Sequence, residues 1–188
     1  YPVGTASKCA DMTHDFLPIA RAVYGLNHLK IITFGPRPTN FLACNAPIQQ
    51  LYNLGVEIEE NSELDLFEAF HKHDNDPRIP EVAADMAAEL GSGNKKPEIL
   101  PKLAQYELTL LDWAEAHKGA RKYVAFADKC WPAFPSQFGF EPCYVNSRLA
   151  SRGIPVACEV DIYGALSEYI GACAVSYTHL TLPTKLEV

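Results

Sequence analysis

Two carboxylates, Glu159 and Asp161, follow an apolar run from Ile154 to Cys158 and precede a stretch carrying Gly164. The run reads as a buried strand. Carboxylates at its carboxyl end, just ahead of a helix, stand where open α/β sheets place their ligands. A carboxylate there can ligate a divalent cation or move a proton as a general base. The competing reading is structural, with Asp161 as a helix N-cap and both charges favoured by the helix dipole. Spacing alone does not separate the two. Lys129, Cys130 and Trp131 follow another apolar run, Tyr123 to Ala127, in the equivalent position. They would line the same crevice if the two strands are neighbours. Trp131 offers an apolar face to a sugar ring, and Lys129 a cation for a hydroxyl or carboxylate. The alternative for Trp131-Pro132 is a packed loop. Gly35-Pro36-Arg37-Pro38 closes a third run, Leu29 to Phe34, and reads as a rigid turn with a solvated arginine.

Other groupings carry less. His71 and His73 lie near Asp74 and Asp76, but an i, i+2 spacing puts the two imidazoles on different helix faces. A solvated helix end is the better reading there than a metal site. The six cysteines (Cys9, Cys44, Cys130, Cys143, Cys158 and Cys173) are scattered without CxxC pairs and read as reduced thiols of a cytoplasmic protein. Neither a GxSxG elbow nor a glycine-rich phosphate fingerprint follows any strand, so serine-hydrolase, dinucleotide and P-loop chemistry have no support.

These residues need a scaffold that brings strand ends together. Helical spacing predicts helices over residues 11–26, 46–54, 64–72, 81–90, 97–117 and 141–151, with Pro18 tolerable only in a first turn. Strands are expected over 29–34, 56–60, 123–127 and 154–158, with a polar, Pro-punctuated loop over 73–80. Alternation of strands and helices predicts a three-layer Rossmann-like or flavodoxin-like α/β domain with a mostly parallel sheet of four or five strands.

At 188 residues and 48% hydrophobic content the chain has the size of one domain. A net charge of −7 gives no footprint for nucleic acid or an anionic membrane. No apolar run approaches a bilayer span, and no secretory leader is visible, so a cytoplasmic location is expected. The chain opens on Tyr1 rather than Met, from which a missing upstream portion is expected. Residues 175–188 resemble the translation of a transposase adapter used in DNA library preparation and are expected to be a non-native tail.

Cys130-Trp131-Pro132, the stretch from Gly139 to Cys143, and Gly153 to Asp161 with Gly164-Ala165-Leu166 resemble the L-fucose/L-arabinose isomerase superfamily, in particular its fucose isomerase-like members. Ile31 to Arg37 and Leu54 to Glu57 resemble that family's strand–loop–helix–strand segment, so the likeness covers most of residues 10–174. It implies that residues 1–174 are a middle α/β domain and that Mn²⁺ is the cofactor. It also implies that Glu159 ligates the metal and transfers a proton during aldose–ketose interconversion of a pentose or deoxyhexose through an enediol. Asp161 then supports Glu159 or caps the helix, and Lys129 and Trp131 are candidates for substrate contact. The family's remaining ligands, an Asp and a His, would lie beyond residue 174, and His179, inside the tail, is no substitute. The parent would be a homo-oligomer and this isolated chain inactive, with apolar docking faces exposed. The alternative, from a different class, is a non-catalytic sugar-binding or sensor module of the same architecture.

Overall fold

The structure is a computed structural model that describes residues 4–175; the expected adapter-like tail lies outside them apart from the backbone of Val175. The apolar runs form β1 (Leu29–Gly35), β2 (Glu57–Ser62), β3 (Tyr123–Asp128) and β4 (Val156–Ala157). They make one four-stranded sheet, parallel throughout, in the order β2-β1-β3-β4. Around it lie α1 (Ala6–Leu26), α2 (Gln49–Asn53), α3 (Glu63–Lys72), α4 (Ile79–Leu90), α5 (Leu100–His117), α6 (Phe134–Phe138), α7 (Cys143–Ser151) and α8 (Ile162–Val175). No helix among the described residues is long and apolar enough to cross a membrane.

The period-2 alternation of strand side chains divides the core in two. Ile32, Phe34, Val124, Phe126 and Val156 face α3, α4, α5 and α7, with Phe134, Phe138 and Phe140 filling the gap. Leu29, Ile31, Ala125, Ala127 and Ala157 face the other way, onto α8 and Leu51 of α2. Both faces of β1 and β3 are therefore covered, which is why these strands read as continuous apolar runs. The chain steps from β1 to β2 on one side and then crosses back to β3 on the other. The carboxyl edge between β1 and β3 is thus the topological switch point at which such sheets bind ligands.

α1, α4 and β4 differ from the sequence expectation, and α6 lies where no helix was expected. α1 starts at Ala6 because the Thr5 side chain accepts the Lys8 N–H at 3.3 Å, so Pro18 falls mid-helix. His14 is exposed, and water can satisfy the carbonyl that Pro18 leaves without its helical partner. Residues 79–80 extend α4 into the expected loop, with Pro80 in its first turn, where a missing N–H costs nothing. β4 has only two ladder residues, and the chain turns at Cys158 rather than after it. α1 also keeps Met12, Phe16, Leu17, Ile19, Val23 and Tyr24 largely exposed.

Candidate functional site at the carboxyl edge of the sheet

Four strand ends converge here. β1 ends in Gly35 and a cis Gly35-Pro36 peptide, and β3 in Asp128, Lys129 and Cys130. β4 ends in a turn in which Glu159 and Val160 both adopt left-handed backbone, φ 60° and 58°. That turn folds back over β1, and Gly35 permits the approach: a Cβ there would meet Val160 Cγ1 at 3.2 Å. Asp161 then starts α8, its Oδ1 accepting the Gly164 N–H at 2.8 Å. Gly164 is required in turn, since a Cβ would lie 2.8 Å from Asp161 Oδ2. In the structure Asp161 is thus a helix cap.

Glu159 is half-buried and makes no ion pair among the described residues. Its Oε1 accepts the Cys130 thiol at 3.1 Å, whereas Oε2 is buried without a hydrogen-bond partner. Burial and the Glu159 carboxylate hold the Cys130 thiol far above the ordinary thiol range, so Cys130 is a donor rather than a nucleophile. Lys129 is less available: its Nζ pairs with Glu63 Oε2 at 2.8 Å. Trp131, 49% exposed, tilts against Phe41 with ring centroids 6.1 Å apart. Neither lines the large cleft beside the turn.

That cleft, of about 700 Å³, opens over the ends of β1 and β2. Thr33 and Gly35 form its floor, Arg37 and Thr39 of the β1 loop one wall, and Asn61 and Ser62 another. Val160 and Ile162, the neighbours of Glu159 and Asp161, close it. Cys44, also in the lining, is pushed up by burial and by the nearby Asp161 and Glu159 carboxylates, with Arg37 opposing them. The turn after β4, through Val160 and Ile162, and the β1 loop therefore line one basin, with Glu159 and Asp161 just behind that lining.

Asp128, unremarkable in the sequence, belongs to the same edge. It is fully buried at the end of β3, where Tyr106 Oη donates to its Oδ2 at 2.6 Å and Asn146 Nδ2 to both oxygens at 3.1–3.2 Å. Burial raises its carboxyl to about 6, with the Glu159 charge adding to the rise while Tyr106 and Asn146 oppose it. The available signal was position: Asp128 ends an apolar strand just as Glu159 does. A buried carboxylate with a shifted proton affinity at a strand end is the kind of group from which functional sites are built.

The folded-state value of Asp128 lies above its unfolded one, so the native state holds this proton more tightly. The resulting stabilisation is complete below about pH 4 and is lost as the pH rises through about 6. Two pK units correspond to roughly 3 kcal/mol. Asp128→Asn, which keeps the shape without the charge but turns one acceptor into a donor facing Tyr106 or Asn146, should flatten that decline, so that its stability relative to the parent rises with pH. Urea unfolding at pH 4.5, 6 and 7.5 measures it; equal pH slopes in the two proteins would contradict the assignment.

The basin is incomplete as a metal centre. Among the described residues, the group of three close ligands is His73, Asp76 and Asp112, far along the chain from Glu159. Arg78 already lies among them, paired with Asp76 and Asp112 at 2.6 Å each. Glu159 brings one unpartnered oxygen, and no set of three ligand groups forms around it.

Fold and edge together define the class: a doubly wound parallel α/β domain with an open cleft over the carboxyl ends of β1 and β2, beside its switch point. No protein-family model matches the chain. It is similar to the sulfoquinovose isomerase of Priestia megaterium (strain ATCC 12872 / QMB1551), 31% identical over 156 residues, covering 81% of this chain and 33% of that protein. It is 29% identical over 173 residues to the sulfoquinovose isomerase of Clostridium sp. (strain MSTE9), covering 91% of this chain and 36% of that protein. Over 146 residues it is 27% identical to the sulfoquinovose isomerase of Alkalicoccus urumqiensis, covering 76% and 31%. The chain spans about a third of the length of the curated relatives it matches.

Proposed function

We propose that this chain is the α/β part of a sugar aldose–ketose isomerase of the L-fucose/L-arabinose isomerase superfamily, acting on a sulfonated deoxyhexose. The observation that carries the reading is Glu159, with a buried, unpartnered carboxylate oxygen on a left-handed turn at the switch-point edge. The likeness to sulfoquinovose isomerases supports the substrate class. Isomerisation moves a proton from the carbon beside the aldehyde to the former carbonyl carbon, through an enediol. A carboxylate fixed at a strand end and shielded from water suits that transfer. Mn²⁺, which would polarise the sugar oxygens, could take Glu159 as one ligand, the others coming from outside the described residues. Asp128 and Cys130 hold the surroundings of Glu159: one as a buried charge nearby, one as the donor that orients Oε1.

The incomplete ligand set favours a second reading, a binding module that holds a sugar without isomerising it. One experiment separates the two. Residues 4–175 replace the matched third of the Priestia megaterium sulfoquinovose isomerase, and ketose formation from sulfoquinovose is followed by NMR with added Mn²⁺. Turnover by a folded exchange protein is expected. Binding without turnover, in a protein whose assembly matches the parent enzyme, would leave only the module.

A further inference from the structure

Arg37 is half-buried in the wall of the 700 Å³ cleft, on the loop between Pro36 and Pro38. Its Nη1 donates to the carbonyls of Pro38 and Thr39 at 3.0 and 3.1 Å. Those bonds fix the guanidinium without neutralising it, and Arg37 pairs with no carboxylate among the described residues. Arg78, Arg121, Arg148 and Arg152 each do. A chain with 23 acidic and 16 basic side chains offers acidic partners in excess, so an uncompensated arginine inside its large cleft calls for a ligand explanation. A planar guanidinium held in place at a concave surface suits a tetrahedral oxyanion, which it can bind through two parallel N–H groups. Glu60, exposed at the cleft rim, does not come within ion-pair distance of it.

Among the described residues that line the cleft, Arg37 is the only cation and Glu60, at the rim, the only carboxylate; Glu159 and Asp161 stand behind Val160 and Ile162 of the β4 turn. A ligand filling this basin therefore meets one fixed cation, suited to an anionic substituent, and otherwise hydroxyl, amide and apolar groups. We infer that Arg37 is the receptor for an oxyanion substituent, a sulfonate or phosphate ester, on the sugar that this cleft binds. The inference rests on the sugar-binding part of the reading above, not on isomerisation.

Three probes test it on the chain itself by NMR titration: glucose carrying a 6-sulfonate, glucose 6-phosphate, and neutral 6-deoxyglucose. Anionic sugars should shift the Arg37 Nε–H signal and the amides of residues 37–39, and bind about 10- to 100-fold more tightly than the neutral one. Arg37→Gln should erase that gap, and Arg37→Lys, which keeps the charge but not the fork, should narrow it; either variant serves if the other does not fold. A preference for the phosphate would uphold the receptor and remove the sulfonated substrate from the proposed function. Anionic binding at Arg37 alongside an inactive exchange protein would remove isomerisation alone. No binding by the wild-type chain at millimolar probe, or a gap unchanged in a folded Arg37 variant, overturns the inference.

Discussion

Arg148→Ala is expected to cost about 3–5 kcal/mol and to lower the melting temperature by about 10 °C or more. Arg148 on α7 is 1% exposed and reaches three carboxylates on two other helices. Its Nε donates to Glu107 Oε2 at 2.7 Å, and its two Nη groups bind Glu89 and Asp85. Glu107, itself 3% exposed, keeps only Arg152 as a partner when Arg148 is removed, through Nη1 at 3.0 Å. Burial already raises the Glu107 carboxyl above the ordinary glutamate range, so the unpaired charge would be a large liability at neutral pH. A raised folded-state value gives stability that is present at low pH and lost as the pH rises. The Arg148→Ala deficit should therefore shrink on acidification toward pH 5. Arg148→Met combined with Glu107→Leu should recover most of the loss, because an apolar pair of similar volume removes both desolvation penalties. Urea unfolding of the three proteins at pH 5 and 7.5 settles the matter; a single mutant within about 1 kcal/mol of the parent would show that the network is dispensable. The network also reaches the carboxyl edge of the sheet. It ties α7 to α4 and α5, and α7 carries Asn146, the donor to Asp128. Loss of Arg148 should thus disturb Asp128 as well.

The parallel sheet was legible because both faces of β1 and β3 are covered, so their residues must be apolar end to end, and because each strand is followed by a helical period. The short β4 was read two residues too long at its start: Ile154 and Pro155 are apolar and buried or half-buried, yet they pair outside the ladder. α6 went unseen, since a five-residue helix has no periodicity to detect, and its Phe134 and Phe138 were recognisable as core only once Tyr106 and Phe140 surrounded them. Within the candidate site, Glu159 and Asp161 stood out by position, but their different fates did not. One caps α8 while the other is left unpartnered, a distinction set by left-handed backbone that no residue type announces. Arg37 read as a solvated turn because the cleft it lines is completed by β2 and the β4 turn, 23 or more positions away. Asp128 was invisible for the same reason: its partners Tyr106 and Asn146 lie on helices from either side of it in sequence.

Glu159→Gln is expected to leave the fold at least as stable as the parent while reducing turnover of the exchange protein by about 10³-fold. As a structural residue Glu159 is poorly placed. Its Oε2 is buried without a partner, a defect worth about 1–3 kcal/mol. Its left-handed φ of 60° adds roughly 1 kcal/mol or more of backbone strain. Its charge raises the proton affinity of buried Asp128, so the two carboxylates oppose each other. Removing the charge relieves the third of these penalties and lessens the first, because a neutral amide costs less than a carboxylate to leave unpartnered in the interior. In Glu159→Gln the Asp128 carboxyl, followed by ¹³C NMR, should titrate below its parent value of about 6, a change that needs no activity to observe. Glu159→Asp keeps the charge but withdraws the carboxylate by one methylene from Cys130 Sγ, its donor at 3.1 Å. It should lose turnover without the gain in stability. A residue retained for packing would show the reverse pattern, with a destabilised Gln variant and turnover intact. Penalties concentrated on one side chain at the switch-point edge are instead the expected mark of a group held in place for chemistry.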